Sequence, residues 1–220
     1  MPDTTHVLLW SGGFDSTAIL LDMVANPDKF QSVRLVSATV NSANLEEDKL
    51  AREKILKILD IEHNGRFLVY NNDLDGLHID GAGQSFVWAF LAAGCARKFG
   101  DEVELCFGYI RGDDLWHYKH EFETAVRAMI DLKRSPDPGP KVNFYYPYEW
   151  ATKKEIVCRY LNYPEVFSAI SWGGDTATCK LKEKEELQFL FDQLRVVKNA
   201  YVADEVLKKE EPDTNNGDGI

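Results

Sequence analysis

The sequence has no apolar run of the roughly 18 to 20 residues that a membrane-spanning helix needs, so no membrane partner is expected. Its first residues, Met1 to Thr5, are polar and lack the basic, apolar and cleavage regions of a secretory signal. A cytoplasmic protein is therefore expected. Cysteine is scarce: Cys95, Cys106, Cys158 and Cys179 are widely spaced and include no C-x-x-C pair, which argues against a disulfide framework. Cys95, Cys106 and Cys158 lie among apolar residues and are expected in the core as small hydrophobes. Positive charge is also short, with 25 Lys and Arg against 36 Asp and Glu and a formal net charge of −11. That balance disfavours tight, non-specific binding to nucleic acid, which needs many cations at phosphates. It leaves room for a single nucleotide, because a few oriented backbone N–H groups suffice to hold one. There is no internal repeat.

What is present is a chain of 220 residues, enough for one domain with a substantial core. Short apolar, β-branched runs predict strands over 6–10, 33–40, 67–70, 103–110 and 142–146. Between them, apolar residues at helical spacing predict helices over 15–24, 45–59, 85–99 and 117–132. The helix over 85–99 is apolar nearly all round and is expected to be well buried. Thr152 opens a further helix over 152–161, with Glu155 three residues on at capping-box spacing. Residues 180–209 predict one or two amphipathic helices. The stretch 135–140 (SPDPGP) must be a turn-rich loop, and 210–220 (EEPDTNNGDGI) is expected to be a disordered tail. The expected fold class is α/β: a single domain over 1–209, with a parallel five-stranded sheet, helices on both faces and a helical C-terminal extension.

In such sheets the ligand lies beyond the carboxyl ends of the strands, where strand order reverses. The first strand runs into Ser11-Gly12-Gly13-Phe14-Asp15-Ser16-Thr17, which opens the first helix. Two glycines let the backbone approach an anion and permit positive φ. The helix adds N–H groups and the positive end of its dipole, and Ser11, Ser16 and Thr17 add hydroxyls. The string is neither a Walker A motif nor G-x-G-x-x-G. The competing reading is a glycine turn whose Ser or Asp merely caps the helix.

The string S-G-G-x-D-S resembles the pyrophosphate loop (PP-loop) of the ATP pyrophosphatases, such as GMP synthetase, argininosuccinate synthetase and the tRNA-thiolating enzymes. The resemblance implies the adenine nucleotide alpha hydrolase-like (HUP) fold and ATP with Mg²⁺ as cofactors. The loop would hold the β and γ phosphates while a substrate oxygen attacks the α phosphate. It implies nucleotide contacts from Leu9, Trp10, Ser11, Gly12, Gly13, Phe14, Asp15, Ser16 and Thr17, and from Val40, Asn41 and Gly108 beyond the second and fourth strands. Asp15 would meet Mg²⁺ directly or through water.

Further segments are similar to the 7-cyano-7-deazaguanine synthases of queuosine-type biosynthesis. These are Thr39-Val40-Asn41 with Ala51 and Arg52 after it, Gly108-Tyr109-Ile110-Arg111-Gly112-Asp113-Asp114 with Tyr118 and Phe122, Pro147 with Thr152-Lys153-Lys154-Glu155-Ile156-Val157, and Ser171-Trp172. That family activates the carboxylate of 7-carboxy-7-deazaguanine with ATP. Ammonia then gives the amide, and a second activation gives the nitrile. By resemblance, Lys153 would contact phosphate or the acyl-adenylate, and Asp113 or Asp114 would meet the base or the metal. Gln84, Trp88, Arg111, Trp116, Tyr118 and Trp172 would line the substrate site. The alternative for Lys153 is a solvated helix lysine. For the aromatics it is a place in the core or an interface.

The chain departs from that family at three places. The cysteine cluster that binds its structural zinc is reduced to Cys179, so no such zinc site is expected. Asn41-Ser42-Ala43-Asn44 replaces its G-Q-R-H segment, and Gly83-Gln84-Ser85-Phe86 its Pro-x-Arg-Asn segment. Expected partners are a small acid such as 7-carboxy-7-deazaguanine and ammonia or another amine, including one on a protein, with no direct nucleic acid. The alternatives are a PP-loop enzyme of the tRNA-thiolating type and a nucleotide-binding module without turnover. The amphipathic C-terminal segment would serve a homodimer interface or pack back on its own domain.

Overall fold

The computed structural model describes residues 4–37, 45–72, 84–110, 117–132, 139–172 and 177–210. Five strands form one sheet: β1 (Thr5–Trp10), β2 (Val33–Ser37), β3 (Phe67–Asn71), β4 (Glu102–Cys106) and β5 (Lys141–Tyr145). All pairs are parallel, in the order β3-β2-β1-β4-β5. Seven α-helices accompany them among the described residues: α1 (Phe14–Ala25), α2 (Leu45–Ile58), α3 (Gln84–Lys98), α4 (Lys119–Asp131), α5 (Lys153–Tyr160), α6 (Pro164–Ala169) and α7 (Ala177–Glu210).

β1 is central, flanked by a strand on each side and helices on both faces, and all six of its residues are buried. Its alternate side chains feed two cores. Leu8 and Trp10 join residues of α1, α2, α5, α6 and α7, while Val7 and Leu9 join residues of α3 and α4. Parallel strands buried on both faces read as continuous apolar runs, which is why the HVLLW stretch was legible as a strand.

α5 begins as its sequence requires. The Thr152 side chain accepts the Glu155 amide N–H, and the Glu155 carboxylate accepts the Thr152 N–H at 2.7 Å. Pro164 at the start of α6 fits the missing donor of a first helical turn. The whole C-terminal segment is one 34-residue helix. Leu187 and Phe191 of α7 are buried, Phe191 is stacked on Phe167 at 4.4 Å, and this part of α7 packs back on its own domain.

Several expectations need correction. β4 ends at Cys106 rather than 110, so Phe107 to Ile110 leaves the sheet, whereas β2 is described over Val33–Ser37 and residues 38–40 of its expected range lie outside the described residues. α3 is not buried all round: Phe86 and Phe90 are 67% and 69% exposed, because only one side of the helix meets the sheet and α4. Cys95 and Cys106 are buried as expected, but Cys158 is exposed on the outer side of α5. α6 and the short 3₁₀ turn Ile61–His63 were not anticipated. The stretch 135–138 of the expected loop and residues 211–220 of the expected tail lie outside the described residues.

Candidate functional site

The chain runs outward from β1 to β2 and β3, then crosses back to place β4 on the other side of β1. The carboxyl ends of β1 and β4 therefore flank the point where strand order reverses, the ligand crevice of an open α/β sheet. Ser11 to Gly13 leaves β1 there, and Phe107 to Ile110 leaves β4 beside it.

The first loop is shaped by its glycines and serines. Gly12 has φ +89°, a left-handed value that an L side chain rarely adopts. A Cβ at Gly12 would also lie 2.8 Å from Cγ of Arg52. Gly13 is the N-cap of α1 in extended conformation and, as a glycine, brings no capping side chain of its own. Ser11 Oγ accepts the Gly13 N–H at 3.2 Å and lies 3.1 Å from Ser16 Oγ, so the two hydroxyls sit together at the mouth of the helix. The Thr17 N–H bonds Gly13 O, closing the first turn. The N-cap position thus falls to a glycine.

Four elements hold this loop in place. On the β4 side, a Cβ at Gly108 would lie 2.6 Å from Ser16 N and 2.8 Å from Ser16 Cα, so backbone meets backbone. On another side, the Ser171 N–H bonds Gly12 O at 2.9 Å, and Ser171 bridges Gly13 in strand fashion. Ser171 Oγ also hydrogen-bonds the Asp48 carboxylate of α2. Over the loop, Arg52 of α2 is 3% exposed and donates to Ser11 O at 3.4 Å. Beneath it, the buried Tyr160 hydroxyl donates to Phe14 O. Trp10 Nε1 donates to Thr17 Oγ1 at 3.0 Å. Burial first, then the nearby charge of Asp15, pushes the Tyr160 phenol well above its ordinary range, so it stays a neutral donor.

This arrangement can take an anion. The positive end of a 12-residue helix and two hydroxyls face one spot, with a buried guanidinium over the loop. Asp15 lies half-buried in the first turn of α1. A carboxylate among phosphate-binding groups supplies the hard oxygen that Mg²⁺ takes, so the donor set fits a magnesium-bound phosphate chain.

The residues expected at the site fall into distinct places. Ser11, Gly12, Gly13, Asp15, Ser16 and Gly108 come together at the crevice. The side chains of Leu9, Trp10, Phe14 and Thr17 are buried in the core, so only their backbone faces the crevice side. Trp88 is packed in the α3–α4 core, and Trp172 sits edge-on to Phe167 at 5.9 Å. Tyr118 is 63% exposed just before α4. Gln84 is the first residue of α3. Lys153 pairs with Glu183 of α7 at 3.3 Å. Val40, Asn41, Arg111, Asp113, Asp114 and Trp116 lie outside the described residues.

Arg52, Asp48, Ser171 and Tyr160 were given no role by the sequence, yet each touches the loop or its supports. Arg52 and Ser171 lay within segments that carry the family resemblance, and Arg52 is also a charge on the otherwise apolar stripe of Ala51, Ile55 and Leu56. A separate cleft of about 170 Å³ lies on the α3 face, among Val36, Tyr70, Phe90, Gly94 and Lys98. No protein-family model and no curated protein matches the chain.

Proposed function

We propose that the chain is a PP-loop enzyme of the HUP fold that binds Mg·ATP at Ser11 to Thr17 and adenylylates a carboxylate. The start of α1 at the β1–β4 reversal, with a glycine at its N-cap, carries this reading, held so tightly that β4's exit loop reaches it only through Gly108. The Gly12 and Gly13 backbone and the Ser11 and Ser16 hydroxyls would hold the phosphates that leave as pyrophosphate. Donors fixed where charge develops stabilise the leaving group without reorganising. Mg²⁺ at Asp15 would offset phosphate charge.

The reaction balances simply. A carboxylate oxygen forms a bond to the α phosphorus and the bond to pyrophosphate breaks. An amine nitrogen then bonds the acyl carbon, AMP leaves, and the nitrogen loses a proton. From the motif resemblance the acid is 7-carboxy-7-deazaguanine and the amine is ammonia or a protein amine, giving an amide or a conjugate; a nitrile would need a second ATP to adenylylate the amide oxygen, which leaves as AMP while the nitrogen loses two protons. Lys153 would have to leave Glu183 to contact a phosphate in this scheme.

Pyrophosphate release from Mg·ATP, measured with and without 7-carboxy-7-deazaguanine, tests the proposal. Release that requires the acid is expected, and Asp15→Ala should abolish it with an unchanged circular dichroism spectrum. Release with tRNA but not with the acid would move the reading to a thiolating type. Binding without release would make the chain a nucleotide module. No nucleotide uptake by calorimetry would overturn it.

A further inference from the structure

A second cluster of chemistry-bearing side chains lies away from the loop, on the sheet face covered by α1. In the β1–β4 ladder His6 stands opposite Glu104, and Leu8 opposite Cys106. Directly opposed residues share a face, and residues two apart on a strand share it too. Parallel pairing therefore brings His6, Glu104 and Cys106 to one spot. His6 Nδ1 is 3.0 Å from Glu104 Oε2, and the nitrogen, carboxylate and sulfur atoms all lie within 4.8 Å of one another.

We propose that His6, Glu104 and Cys106 form a three-ligand site for one divalent transition-metal ion of the zinc type. The donor set is one imidazole, one carboxylate and one thiol, the mixture that suits borderline-soft zinc. Ligand atoms at zinc distances in a tetrahedron lie about 3.5 Å apart. The present separations bracket that value, so closure needs side-chain rotations of about 1 Å and no movement of the strands.

The surroundings fit. His6 and Cys106 are buried, while the Glu104 side chain is 23% exposed, which leaves a path for the ion and a fourth position for water. Phe30 meets the His6 ring edge-on at 4.9 Å and limits its rotation. The nearest ammonium, Lys29, donates to Tyr145 OH at 3.0 Å and lies over the Tyr145 ring. It thus borders the cluster while bonded elsewhere. With carboxylate and thiolate bound, the divalent ion is neutralised locally, as a largely buried site requires. His6 lies about 16 Å along β1 from Ser11, so this ion is separate from any at the loop. Sequence spacing could not reveal the set, because 98 residues separate His6 from Glu104.

The test uses the full chain without nucleotide. Equilibrium dialysis against Zn²⁺ should retain one ion per chain, and Co²⁺ should give a near-ultraviolet thiolate-to-cobalt absorption band. Cys106→Ala should remove that band. Glu104→Gln, at a partly exposed position, should weaken Zn²⁺ uptake more than tenfold while leaving the circular dichroism spectrum unchanged. No retained zinc, or a cobalt band that survives Cys106→Ala, would overturn the site. Should Cys106→Ala not fold, unchanged zinc affinity in Glu104→Gln and His6→Gln would overturn it instead.

Discussion

Replacing Gly108 with alanine probes the closest contact at the crevice. The added Cβ would lie 2.6 Å from Ser16 N, 2.8 Å from Ser16 Cα and 3.0 Å from Asp15 C. Carbon contacts settle near 3.5 Å, so β4's exit and the start of α1 must separate by about 0.5 to 1 Å. Every partner is main chain, so no side-chain rotation relieves the contact. Gly108 is not among the glycines with positive φ, and backbone strain adds nothing to the effect. Overpacking of this kind costs about 1–3 kcal/mol, which at this chain length lowers Tm by about 2–12 °C. On the proposed function the same displacement would move the phosphate donors from their positions and weaken nucleotide binding. Thermal melting by circular dichroism and calorimetry with a non-hydrolysable Mg·ATP analogue measure the two effects. Gly94→Ala is the control. It sits inside α3 with nothing within 4 Å of an added Cβ, and alanine there should stabilise by about 0.5–1 kcal/mol. If Gly108→Ala melted and bound nucleotide like the parent protein, the close approach of β4 to the loop would have no bearing on the site.

Two further substitutions address the supports. Tyr160→Phe removes the hydroxyl that bonds Phe14 O from beneath the loop, and should cost about 1–3 kcal/mol in urea unfolding because a buried carbonyl loses its donor. An unchanged urea midpoint would show that the bond does not hold the loop. Thr152→Ala removes the capping box and should cost about 1 kcal/mol. The Glu155 carboxyl is held below its ordinary range, first by the Thr152 backbone N–H and then by the Thr152 side chain. Its folded pKa is thus below the unfolded one, so its contribution is present above the ordinary carboxylate range and is lost as pH falls through the lowered value. The gap in stability between parent and a Glu155→Ala variant should accordingly narrow under acid, and a gap constant with pH would contradict the role given to Glu155.

The parts legible in the sequence were those decided by local chemistry. Central β1 could be read from the four consecutive apolar residues Val7 to Trp10, and the start of α5 from Thr152 and Glu155. The crevice loop could be read from glycines that follow a strand and open a helix. The parts that were not legible depend on what arrives from elsewhere in the chain. Trp88 and Trp172 were expected to line the substrate site by resemblance, and only their packing partners show where they lie: the α3–α4 core for one, Phe167 for the other. Phe86 and Phe90 belong to a helix apolar all round, yet only one side of it meets the sheet and α4. Cys158 follows two buried residues, Ile156 and Val157, but faces away from them. Arg52 reads as a surface charge on an amphipathic helix. It is buried because its stem packs where Gly12 has no side chain.

That last contact bears on how an acidic chain can favour an anion. The net charge of −11 is a sum over the whole sequence, and charges in water are screened over about 8 Å at physiological salt. The potential at the loop is set by what lies within a few ångströms. There, the start of α1 carries about half a positive charge and Arg52 is nearly excluded from solvent, but the Asp15 carboxylate lies in the same turn and that of Asp48 borders the loop through Ser171, so an anion would be held by oriented N–H groups and hydroxyls rather than by excess positive charge. A mononucleotide fits within that small region. A nucleic acid does not: its phosphates extend past the screening length over a surface where Asp and Glu outnumber Lys and Arg, and few released counterions would compensate. On the proposed function, donors confined to one turn would suit a small anion such as a mononucleotide, while the acidic composition of the chain would disfavour a polynucleotide.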